Sequence, residues 1–156
     1  WYQADPPATG WQGDAFDATA WATGAGELGF GDTPKATVIS TAPAPRPITS
    51  YYRRTVTVDD PTAFDAVTLD LIRNAGAVVY VNGVEVGRSN MRDGVVTATT
   101  YAPTVPVVAQ RHVPVRLTIP PSAFRAGTNT IAVEVHLNYR SQPTSGFDLQ
   151  VTGVKG

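Results

Sequence analysis

Apolar and polar residues alternate with a period of two along much of the chain. Val67, Leu69 and Leu71 are separated by Thr68 and Asp70, and Val115, Leu117 and Ile119 by Arg116 and Thr118. Ile131, Val133, Val135 and Leu137 alternate with Ala132, Glu134 and His136, and Phe147, Leu149 and Val151 with Asp148 and Gln150. Successive side chains of a strand point to opposite faces, so each run predicts a β-strand that buries one face. Ala77-Val78-Val79-Tyr80-Val81 is apolar on both faces and belongs near the centre of a sheet. It is followed by Asn82-Gly83 and then Val84-Glu85-Val86; both turn residues tolerate positive φ, so the pair predicts a tight hairpin. No window of a dozen residues repeats its apolar positions at 3.6, and no long helix is expected.

Proline and glycine punctuate these runs. Asp59-Asp60-Pro61 and Pro120-Pro121-Ser122 end strands, because proline cannot continue a ladder. One helical turn is expected over Ser122–Ala126, with Gly127 turning the chain into the next strand. Thr41 to Pro47 must be extended and exposed. The first 35 residues hold all three tryptophans and little alternation. They read as a long irregular opening that wraps the sandwich, with pairing resuming around Lys35 to Thr41. Trp21 is expected in the core, and Trp11 is balanced between core and surface. Residues 1–156 count as one domain.

Composition narrows the partners. Charged residues make up 16% of the chain and the net charge is −1, with no basic stripe to neutralise phosphates, so nucleic acid is not an expected partner. The apolar runs are too short to span a membrane. With no cysteine, disulfides, thiolate chemistry and cysteine-based zinc sites are excluded. The scarcity of lysine, with arginine carrying the positive charge, suits an exported bacterial protein, so the expected location is secreted or extracellular. A chain that opens on Trp1 is expected to be a mature fragment or an excised domain.

Five motifs, in order, carry a resemblance. They are Phe16-Asp17-Ala18-Thr19-Ala20-Trp21, Leu28-Gly29-Phe30-Gly31-Asp32, Tyr51-Tyr52-Arg53-Arg54-Thr55-Val56, Ala77 to Arg88 around Asn82-Gly83, and Gly127 to His136. Together they resemble the galactose-binding-domain-like modules, including the sugar-binding domain of family 2 glycosidases and ancillary modules of secreted bacterial enzymes. The resemblance implies an all-β, mostly antiparallel jelly-roll β-sandwich that acts as a non-catalytic, carbohydrate-binding-type accessory module. The alternative is a structural or protein-interaction module packing against a neighbouring catalytic domain of the same polypeptide, with no sugar ligand. Asn74-Ala75 stands where related modules carry two aspartates, and Leu137 where they often carry glutamine.

The residues themselves offer no nucleophile elbow and no acid pair placed for glycoside hydrolysis. His112 follows Gln110-Arg111 in a loop and reads as solvated. His136 lies on the strand face opposite the core alternation, beside Glu134 and near Asp148 or Gln150. A polysaccharide or glycan ligand needs an aromatic ring to stack on the pyranose, with polar groups reading its hydroxyls. The loops after two strands supply them: Asn138, Tyr139 and Arg140 in one, Asn90 and Arg92 in the other, both flanking His136 at one end of the sandwich. The candidate cofactor is calcium, with Asp14, Asp17 and Asp32 as its first candidate ligands.

Overall fold

A computed structural model describes Trp1, residues 6–31 and residues 35–156. Nine strands form: β1 (Leu28–Phe30), β2 (Thr37–Val38), β3 (Thr49–Val58), β4 (Ala66–Arg73), β5 (Gly76–Val81), β6 (Val84–Ser89), β7 (Val115–Ile119), β8 (Gly127–His136) and β9 (Ser145–Val154). They make two sheets, in the orders β2-β1-β9-β4-β7 and β3-β8-β5-β6. Every pairing is antiparallel except the short β1–β2 pair. From β2 to β5 and again from β6 to β9, successive strands alternate between the sheets in the manner of a jelly roll, the architecture that the motif order implies. The β1–β2 and β5–β6 pairs each stay within one sheet.

The period-two runs bury most of the faces expected of them, although Val151 on β9 is exposed and Ala132, Glu134 and His136 on the other face of β8 are buried as well. Val67, Leu69 and Leu71 of β4 meet Val79, Val81, Ile131, Val133 and Val135 of the facing sheet in one core. Leu69 and Leu71 are wholly buried. Truncating a leucine in such a site costs about 2–5 kcal/mol, so these two positions anchor the sandwich. Tyr52 of β3 stacks on Phe147 of β9 at 4.1 Å between ring centres, tying the two sheets together. Ala77, Val79 and Val81 of β5 enter the sandwich core while Tyr80 on its other face packs under Trp11, which explains why Ala77–Val81 is apolar on both faces.

Asn82 (φ 51°) and Gly83 (φ 86°) close the β5–β6 hairpin in the left-handed region that the sequence demanded. The expected helical turn at 122–126 is a single 3-10 turn at Pro121–Ala123, since proline starts a turn well but leaves no N–H to extend it backwards. Gly127 then turns at φ 90°. Among its described residues the opening segment is irregular up to β1, which pairs with β9 and carries the buried Leu28 and Phe30. Three residues are too few for alternation to show.

The first part of the opening covers the outer face of the four-stranded sheet. Trp11 packs edge-on against Tyr51 and Tyr80 and stacks near Trp21, forming a second cluster outside the sandwich core. Arg53 holds this segment down by donating to the carbonyls of Trp11 (2.7 Å) and Gly13 (3.0 Å). Trp11 is therefore buried, and Trp21, read as core, is half-buried above it.

Candidate functional site

β8 delivers Glu134 and His136 to the outer face of the four-stranded sheet, opposite Tyr51 and Thr49 of β3. His136 is completely buried. Its Nδ1 lies 2.8 Å from the Thr100 carbonyl and 3.0 Å from Thr49 Oγ1. A carbonyl only accepts, so Nδ1 carries the proton. Nε2 faces Glu134 Oε2 at 3.4 Å, while Glu134 Oε1 accepts from the Tyr80 hydroxyl at 2.6 Å. Burial, and then the bond to Glu134, raise the Tyr80 phenol above its ordinary range, so it stays a donor. Tyr80, Glu134, His136 and Thr49 thus form a polar row, with Tyr80 under Trp11 at one end and His136 and Thr49 bonded to the Thr100 and Ala98 carbonyls at the other. Asp148 and Gln150, expected near His136, lie instead on β9 of the other sheet. Strand pairing across sheets is invisible to a single strand's periodicity.

The two loops proposed as ligand-binding do come to one end, but residues 100–104 fill the space between them. Thr100 accepts from His136, and Ala102 N donates to Leu137 O at 3.0 Å. Asn138 Nδ2 donates to Ala102 O at 2.6 Å. Asn90, at φ 51°, donates to Ala75 O and Thr104 O at 2.7 Å each and accepts from the Thr104 hydroxyl. Gly76 makes this closure possible: a Cβ there would sit 2.7 Å from Asn90 O and 2.8 Å from Ala102 Cβ. His136, Asn138 and Asn90 therefore direct their polar atoms at the protein's own chain. Tyr139, Arg140 and Arg92 face outwards. Arg140 Nε reaches the Arg46 carbonyl at 3.5 Å, and the Arg92 carbonyl accepts from Arg88.

Sequence reasoning missed Tyr101. It is 40% exposed and Tyr139 is 45% exposed, and these are the exposed aromatic residues among those described. The Ala102–Leu137 and Asn138–Ala102 bonds fasten their two segments together, directly beside both rings in sequence. The signal was slight: one tyrosine in the threonine-rich stretch Thr97–Thr104, with no alternation around it.

Two of the acidic candidates, Asp14 and Asp17, are engaged elsewhere. Asp14 pairs with Arg125, and hydrogen bonds from Thr130 and then Arg125 hold its carboxyl below the ordinary range. Asp17 accepts from Thr19 N at 2.9 Å, a local turn bond that lowers its pKa too. Asp32 lies outside the described residues. Among the described residues, no three His, Cys, Asp or Glu side chains gather to hold a metal. His112, read as solvated, is instead partly buried with Nδ1 3.2 Å from Glu27 Oε2. The other Glu27 oxygen takes the buried Lys35 ammonium at 2.5 Å. A loop and the opening segment meet there, which spacing along the chain does not reveal.

No protein-family model and no curated protein matches the chain. Solved structures do. A native α-L-rhamnosidase from Aspergillus terreus aligns over 82% of this chain and 14% of its own, at TM-score 0.53 and 16% identity. A glycosyl hydrolase family 2 member from Bacteroides cellulosilyticus aligns over 98% of this chain and 20% of its own, at TM-score 0.51 and 14% identity. At these identities the likeness is one of fold, shared with a small part of each glycosidase chain.

Proposed function

We propose that this β-sandwich is a non-catalytic accessory module of a larger secreted bacterial protein, and that it binds carbohydrate through Tyr101 and Tyr139. The observation that carries the reading is the pair of exposed tyrosines, held on two hydrogen-bonded segments at one end of the fold. A tyrosine ring offers an apolar face to the C–H face of a pyranose and a hydroxyl to its rim. Arg140 and Arg92 supply exposed donors for sugar hydroxyls on the flanking loops. The fold likeness to a small part of two glycosidase chains supports the accessory role. The absence of a catalytic task fits the polar residues nearby: Glu134 and His136 are buried and bonded to the protein itself.

Affinity electrophoresis of the folded chain in gels of neutral and acidic polysaccharides tests this. At least one polysaccharide should retard the native chain, and Tyr139→Ala and Tyr101→Ala should each weaken the retardation. Unretarded migration in every gel would overturn it. A second reading, a module docking against a neighbouring domain, is favoured by Val107, Val108 and Val113, exposed together within one loop. It expects the polar substitution Val108→Ser to weaken association with the adjoining domain of the full protein while leaving polysaccharide retardation unchanged.

A further inference from the structure

Arg73 ends β4 beside a cleft of about 340 Å³, and its surroundings are unusual for an arginine. The side chain is half-buried. Its Nε donates to Ser89 Oγ at 3.0 Å, and among the described residues no carboxylate pairs with it. Burial lowers its pKa with no acid nearby to oppose the shift. Guanidinium has five N–H donors in a planar fork, so the four on the terminal nitrogens remain for a ligand. A half-buried cation without a counter-charge is only partly solvated, and an oxyanion held on two parallel N–H bonds is its best complement.

The rest of the cleft narrows the ligand. Arg73 is the one charged residue in its described lining, which matches a single negative charge better than a phosphate dianion. Thr104 lines the wall with its hydroxyl, donating to Asn90 and leaving oxygen lone pairs to accept. Gln110 adds an exposed amide at the rim. Pro106, Pro114 and Val115 add apolar surface on which a sugar ring can lie. We propose that this cleft binds a uronic-acid residue of an acidic polysaccharide, its carboxylate held bidentately by Arg73. The proposal rests on the carbohydrate reading above but uses a site separate from the two tyrosines.

The test is titration of the whole chain with D-galacturonate, D-galactose and acetate, following the Arg73 Nε–H resonance, together with affinity electrophoresis in polygalacturonate. Galacturonate should shift that resonance at concentrations at least tenfold below acetate, and galactose should leave it in place. Arg73→Gln should weaken polygalacturonate retardation at least tenfold. Arg73→Lys should do so partially, since it keeps the charge and loses the fork. Tyr139→Ala should leave the Arg73 resonance response unchanged. Equal response to acetate and galacturonate would mean a simple anion site and would overturn the proposal. So would undiminished retardation of Arg73→Gln, or no response to galacturonate at all. Retardation by a neutral polysaccharide that is sensitive to Tyr139→Ala would survive any of those results, which separates failure here from failure of the carbohydrate reading.

Discussion

Asn82 at the hairpin tip and Asn129 at the start of β8 face each other with Asn82 Nδ2 donating to Asn129 Oδ1 at 2.7 Å. Asn129 is completely buried and in turn donates to the carbonyls of Arg125 and Gly127, while accepting from Arg125 N. Asn82 Oδ1 accepts from Thr130 N at 3.0 Å. Two asparagines thus join the β5–β6 turn to the turn that enters β8. Asn129→Ala would remove four hydrogen bonds from this junction, at about 1–3 kcal/mol for each partner left without water. A fall of at least ~2 kcal/mol in urea-unfolding stability is expected. A fall under a few tenths would show that the pair contributes no more than an exposed contact.

The sealed polar row makes a second prediction. His136→Ala removes the donor to Thr100 O and opens a cavity, a loss of about 2–4 kcal/mol. Because Thr100 begins the stretch that carries Tyr101, the same substitution should speed hydrogen exchange at Ala102 N and weaken polysaccharide retardation. Unchanged exchange at Ala102 would disconnect His136 from the placement of Tyr101.

Trp11 is where the opening segment grips the sheet. Its buried ring meets Tyr51 and Tyr80 at 5.0 and 5.8 Å between centres. Trp11→Ala should cost about 3–5 kcal/mol and lower the thermal midpoint accordingly. If the midpoint holds, the segment is an ornament on a sheet that is stable without it.

Acid should destabilise the fold through surface carboxylates that are bonded in the native state. Hydrogen bonds from Arg116 at 2.7 and 2.8 Å hold the Asp70 carboxyl below its ordinary value, and the Thr62 hydroxyl does the same for Asp60. A carboxylate with a lowered folded pKa contributes stability above the unfolded value, and that contribution disappears as pH falls through the folded one. The urea midpoint should therefore be level above the ordinary carboxylate range and decline below it. Asp70→Asn should shallow that decline, and added salt should shrink the difference between the two proteins. A decline of unaltered steepness in Asp70→Asn would remove the Arg116 pair from the account.

Several features were legible from residue order alone because their causes are local. Alternation at Val67–Leu71, Val115–Ile119 and Ile131–Leu137 fixes which side chains face a core, since a strand has only two faces. Asn82-Gly83 dictates its turn through the φ angles its residues tolerate. The motif order was enough to imply the jelly roll. Contacts between distant segments were not legible. That Thr100 would cover His136, that Ala102 would bridge Leu137 and Asn138, and that Glu27 would gather Lys35 and His112 depend on loops whose paths no periodicity encodes.

The sequence by itself thus determined the alternating strands and the hairpin. Its motif order implied the sandwich, with the loops of Asn90 and Tyr139 expected at one end. The short β1 and β2 carried no such pattern. Only the tertiary structure decided which polar residues there remain available. A buried polar group must find a partner, and the nearest partners were the chain's own carbonyls. His136, Asn138 and Asn90 took them, leaving Tyr101, Tyr139 and the half-buried Arg73 with surface to offer a ligand.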